Sequence, residues 1–152
     1  MKRRDVIQLT PEEQQTFLAQ TRTITLSTID QRGYPHSVAM WYVMDDGCAF
    51  MTTYAKSQKA LNIERNPKVA LLAESGETYD ALRGVLMRGR AELIHDVDAC
   101  VGVLTRIHTK MMGAFPTGIE DALRQQARKR VIIKVIPERI SSWDHSKLGG
   151  VY

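Results

Sequence analysis

The 152-residue sequence predicts an α+β fold in which β dominates: about six antiparallel strands closing into a small barrel, with helices inserted between them. Three observations predict it. Polar and apolar residues alternate through Thr23-Ile24-Thr25-Leu26-Ser27-Thr28-Ile29, the pattern of a half-buried strand. Short turns at residues 30–33 and at Asp45-Asp46-Gly47 join that run to strands at 36–44 and 48–52, making a meander. Strand-like runs then recur at 68–73, 84–94 and 131–136, with helical or polar segments between them.

The helices follow from their caps. Thr10 precedes Pro11 and two acids, so it caps a short helix through about Ala19. Residues 57–65 carry apolar Ala60, Leu61 and Ile63 among polar neighbours, and Asn66-Pro67 stops that helix. Asp96 caps a helix to about Lys110; a Gly- and Pro-containing break at 113–118 separates it from a polar helix over 119–128. Pro137 marks an edge or bend. No repeat, linker or low-complexity segment divides the chain, so residues 1–152 are expected to form one domain.

Composition narrows the partners. The formal charge is +4, but the basic residues are scattered and no aromatics interleave with them, which argues against a nucleic-acid platform. No apolar run reaches the length of a membrane span, and no signal-peptide core follows the basic N-terminus. A cytoplasmic address is expected. Cys48 and Cys100 match no metal or redox spacing and read as buried thiols, and His36, His95, His108 and His145 lack metal-ligand spacing. No metal site and no nucleophile of the Ser-His-acid kind is expected.

One stretch concentrates chemistry. Thr52-Thr53-Tyr54-Ala55-Lys56-Ser57-Gln58-Lys59 runs from a strand end through a loop into a helix start, gathering hydroxyls, two lysines and free N–H groups. That combination suits a phosphate, and it equally suits an ordinary cap by Ser57 with two solvated lysines. Gly84 and Gly89 stand alone in a strand, where glycine marks a bulge or a close approach. Trp143 fits either stacking on an aromatic ligand or covering the core.

Three anchors, in order, resemble the pyridoxamine 5′-phosphate oxidase-like split-barrel family. They are 53–60 followed by Asn66-Pro67 and the next strand; Arg83-Gly84-Val85-Leu86-Met87-Arg88-Gly89-Arg90-Ala91-Glu92; and Arg139-Ile140-Ser141-Ser142-Trp143. The resemblance implies a six-stranded antiparallel split barrel and a homodimer with cofactor at the subunit interface. It also implies a strand His36-Ser37-Val38-Ala39-Met40 lying along the cofactor ring. Thr52, Thr53, Lys56, Ser57, Lys59, Met87 and Trp143 complete the implied cofactor-binding set, with Ser57 and Lys59 on the phosphate and Trp143 reaching the partner's cofactor.

The sequence departs from true oxidases of that family. His36 and Trp41 stand where they carry Arg and Lys, Gly84 where they carry Gln, and residues 143–152 lack the arginine that reads pyridoxal. Residues 83–86 and 142–148 are instead similar to the branch that uses the deazaflavin coenzyme F420. The implied activity is hydride transfer from reduced F420 to an activated double bond of a small molecule. FMN on the same fold is the alternative, as is a protein that only binds the cofactor. The proton donor is left open between solvent, Tyr54 and His36.

Overall fold

The computed structural model describes residues 2–114 and 117–150. A single antiparallel sheet has the order β2-β1-β5-β6-β7-β4-β3. Its strands are β1 Thr23–Ile29, β2 Pro35–Trp41, β3 Val43–Asp45, β4 Cys48–Tyr54, β5 Lys68–Ser75, β6 Arg83–Ile94 and β7 Arg130–Asp144. The helices are α1 Arg3–Val6, α2 Pro11–Gln20, α3 Gln58–Arg65, α4 Val97–Met112 and α5 Glu120–Ala127.

The sheet has seven strands, not the six expected, because the predicted strand over 36–44 is broken at one residue. Up to Trp41 it pairs with β1, and from Val43 it pairs with β4. Tyr42 belongs to neither ladder. Its two flanking strands are the first and last of the sheet, so the sheet curls until its ends meet at Tyr42. The Tyr42 side chain is fully buried there, and its hydroxyl donates to the Leu18 carbonyl at 2.7 Å. Beyond that junction β2 and the end of β4 each leave an edge with no strand partner among the described residues.

Two apolar clusters hold the curl. The interior is filled by alternate strand residues, among them Ile24, Leu26, Met51, Leu71, Val85, Met87 and Ile133, and is closed by Phe17 and Leu18 of α2. Outside β4 and β7, helices α4 and α5 bury Cys100, Leu104, Ile107 and Leu123 against Val43 and Ile132. Adjacent residues Ile132 and Ile133 therefore face different cores. That double cover explains why Val131-Ile132-Ile133 is apolar without alternation.

β7 runs well past the predicted end at Ile136. Its pairing with β4 stops at Val135, whereas its pairing with β6 continues to Asp144. Pro137 thus falls where one neighbour has ended and where β6 slips register between Arg88 and Gly89, a position that tolerates a missing N–H. Gly89 is needed there, since a Cβ on it would lie 2.0 Å from the Ile136 carbonyl oxygen. The short first helix was not predicted. The other helices match their predicted positions, with Thr10, Ser57 and Asp96 accepting hydrogen bonds from the first-turn N–H groups of α2, α3 and α4.

Candidate functional site

The stretch 52–59 forms the corner between β4 and α3. Thr53 donates to Ser57 Oγ at 3.1 Å, Ser57 Oγ accepts from the Ala60 N–H at 3.3 Å, and Lys59 Nζ donates to Thr53 Oγ1 at 3.1 Å. The backbone N–H groups of Gln58 and Lys59 make no hydrogen bond within the described residues. Free first-turn donors and a lysine therefore converge on one corner, which is the arrangement an anion requires. Lys56 is exposed on the loop itself.

A second cation, which the sequence reading did not single out, completes the corner. Arg130 opens β7 directly across from Tyr54. One of its terminal nitrogens donates to the Thr52 hydroxyl at 3.2 Å and lies 3.4 Å from the Thr52 carbonyl; its guanidinium stacks 4.6 Å from the Tyr54 ring centre. Its Nε is buried with no partner. Burial, and then the nearby Arg130 charge, push the Lys59 ammonium below its usual pKa. Among the described residues neither cation has a carboxylate within ion-pair distance. An oxyanion here would satisfy the orphaned Nε and relieve the repulsion, so these residues fit a phosphate. The only sequence signal was the basic run 128–130, whose last member begins a strongly strand-like segment.

The residues expected along the cofactor ring divide between two faces. His36, Val38 and Met40 are partly buried on the core side of β2, with Val38 and Met40 packed against the interior cluster. Ser37 and Ala39 lie on the outer face, cross-strand from Ser27 and Thr25. His36 pairs with Thr28, whose hydroxyl is bonded to Asn62 of α3, and the His36 Nδ1 is buried without a partner. Thr52 and Thr53 are buried in the corner, whereas Met87 is fully buried in the interior, away from it.

Trp143 sits at the far end of β7 from the corner. It is cross-strand from Gly84, and its indole covers the space a side chain there would fill, a Cβ falling 2.3 Å from the Trp143 ring. Gly84 is therefore a site of close approach. Trp143 lines a cavity of about 890 Å³ together with Leu86, Ser141 and His145. Next to it, Arg83 Nε lies 3.1 Å from the Asp144 carboxylate, without the alignment of a hydrogen bond. Burial works against the Asp144 charge, but the Ser146 hydroxyl and N–H, with Arg83 and Lys147, outweigh it and hold the carboxyl below its usual range.

A curled antiparallel sheet broken at one strand, with two cations and free N–H groups gathered at one corner, defines a split-barrel protein with a candidate anion site. The family model of pyridoxamine 5′-phosphate oxidase matches residues 10–144, and the chain belongs to that family. Among solved structures, a conserved hypothetical protein of Mycobacterium tuberculosis is 39% identical with a TM-score of 0.92, covering 100% of this chain and 95% of that one. A protein described as an F420 reductase is 26% identical with a TM-score of 0.68, covering 87% and 98%. A flavocytochrome of Azotobacter vinelandii, at 14% identity, TM-score 0.73 and coverage of 95% and 72%, shares the fold. No curated protein sequence matches the chain.

Proposed function

We propose that this protein is an oxidoreductase that holds a phosphate-bearing deazaflavin, coenzyme F420, at the 52–59 corner and reduces a small organic molecule at an activated double bond. The observation that carries the reading is the approach of Lys59 and Arg130, two cations with no carboxylate partner among the described residues, beside free N–H groups. Similarity to an F420 reductase supports the deazaflavin. The bound cofactor supplies hydride chemistry that no side chain here provides. The protein's part is to grip the phosphate through Ser57, Lys59 and Arg130 and to offer the open β2 edge, His36 to Met40, to the ring. It also excludes water with Val38 and Met40.

FMN is the second reading, and one observation favours it. Two cations balance a phosphomonoester dianion better than the single charge of a phosphodiester. A protein that stores the cofactor without turnover is the remaining alternative.

The reading includes a homodimer. Ser57 and Trp143 lie near opposite ends of β7, on the order of 40 Å of strand apart at about 3.3 Å per residue. Two chains, and not one, bring both to a single ring. The outer face of the sheet suits a second copy, because its cross-strand row Ala39–Thr25–Leu72–Leu86–Ser141 is small and apolar or hydroxylated. Among the described residues no helix is long and apolar enough to cross a membrane.

Parallel titration of the purified protein with FMN and F420, followed by turnover assays on a panel of enones, tests this. Preferential F420 binding with enone reduction is the expected result. Binding of neither cofactor would sink the reading, FMN preference selects the second, and binding without turnover selects storage.

A further inference from the structure

We propose that Arg88 and Arg139 form an oxyanion seat for a small planar, conjugated molecule carrying a carboxylate, with its flat portion laid against Trp143 and Leu86. This rests on the reading above in one respect, that such a molecule is the substrate presented to the partner's cofactor.

Arg88 of β6 and Arg139 of β7 are direct cross-strand partners, so their side chains leave the same face of the sheet side by side. Like charges directly opposed weaken a sheet. Neither side chain forms an ion pair or hydrogen bond within the described residues, and Glu138, which lines the smaller cavity with both, lies outside ion-pair distance of each. On the other flank of Arg88 the ladder supplies Ala70 and then Ser27, which bring no charge. A like-charged pair with no ion-pair partner among the described residues is the mark of a site that awaits its counter-ion.

Its setting is concave. Both arginines line the cavity of about 890 Å³ that Trp143 walls, and both also line a second, more apolar cavity of about 570 Å³ on the β1–β5 side. The larger cavity carries Lys2, Arg4 and His145 in addition, against the single acid Asp5. Trp143 and Leu86 supply a flat apolar wall within the same cavity, on the face the arginines share, since Gly84–Trp143, Leu86–Ser141 and Arg88–Arg139 follow one another at two-residue steps. Two guanidiniums at one end and an indole further along match a carboxylate joined to a planar conjugated body.

The test needs no cofactor. In a Trp41→Phe background, Trp143 is the remaining tryptophan, and its emission reports occupancy. Cinnamate is expected to quench it saturably, cinnamamide at least 10-fold more weakly, and Arg88→Ala or Arg139→Ala to lose at least 10-fold in cinnamate affinity. Arg88→Glu guards against misfolding: it replaces repulsion by a cross-strand ion pair, so the melting temperature should rise while cinnamate binding disappears. Equal quenching by acid and amide, or unchanged affinity in the arginine variants, overturns the proposal. If FMN or F420 binds and cinnamate does not, the seat alone fails. If cinnamate binds as expected and neither cofactor does, the seat stands and the cofactor reading falls.

Discussion

Lys110 of α4 donates a hydrogen bond to the carbonyl of Tyr42 at 3.3 Å, and a second to the Leu18 carbonyl at 3.2 Å, with its ammonium 3.7 Å from the centre of the Tyr42 ring. The break between β2 and β3 leaves the Tyr42 carbonyl outside both ladders, and a buried carbonyl needs a donor. Lys110 supplies it. The break between β2 and β3 is thus held by Lys110 from a helix outside the barrel, together with the bond from the Tyr42 hydroxyl to Leu18.

Holding that position has a pH signature. Burial pushes the Lys110 ammonium down to about 8 from its ordinary 10.5. Between about pH 8 and about pH 10 the unfolded chain therefore binds more protons than the folded one, and stability rises with pH across that interval. Burial raises the Tyr42 phenol, so above its ordinary value of 10.0 the unfolded tyrosine ionises first and the trend reverses. Urea midpoints measured through this range should climb in the wild type. In Lys110→Met most of the climb should vanish, leaving the part contributed by Lys59. An identical climb in the variant contradicts the assignment.

Gly84 and Trp143 make a second dependent pair. Gly84→Ala places a Cβ 2.3 Å from the indole, so Trp143 must swing away or the strands must part. The expected loss is about 1–3 kcal/mol, typical of overpacking. It should come with a shift in Trp143 emission, read in the Trp41→Phe background. Unchanged stability and emission together would show that the indole does not rest on Gly84.

Much of the fold was legible because local signals agreed with tertiary ones. Thr10, Ser57 and Asp96 announced helix starts, and the alternation in residues 23–29 announced β1. What escaped depended on partners distant in sequence. Nothing around Tyr42 marks a strand break, because the residues that hold it, Leu18 and Lys110, lie on helices far along the chain. Pro137 marks an edge or bend in the sequence, and only the extra residue Glu138 at the β6–β7 register shift and the end of the β4 pairing show how a strand continues through it. The candidate anion corner was half legible. Ser57 and Lys59 are local to one another, whereas Arg130 reaches them only through the β4–β7 ladder.

Asn62 carries the contact between α3 and the barrel. It is fully buried; its amide donates to Thr28 at 3.0 Å, and its carbonyl oxygen accepts from Gln58 at 2.7 Å and Arg65 at 3.1 Å. Asn62→Leu keeps the volume but strips partners from a fully buried Thr28 hydroxyl. A loss of about 1–3 kcal/mol is expected from thermal or urea unfolding. Because α3 carries the corner, phosphate affinity should fall with it. A stability change below a few tenths of a kcal/mol would mean that the network contributes little.

The corner itself makes the sharpest claim, since Lys59 and Arg130 repel one another until an anion arrives. Lys59→Ala and Arg130→Ala should each weaken binding of the cofactor by about 10- to 100-fold, the range expected for one charged hydrogen bond. Their effects should not add. Removing Arg130 lifts a repulsion that, after burial, works against the Lys59 charge, so the surviving lysine meets the anion with less opposition than it does in the pair. The unliganded Arg130→Ala protein should lose little stability despite losing the bond to Thr52, because a buried, unpartnered Nε goes with it. Isothermal titration of the four proteins of the cycle, at two salt concentrations, checks this. Strictly additive losses, or a salt dependence unchanged by either substitution, would remove these two residues from the phosphate site.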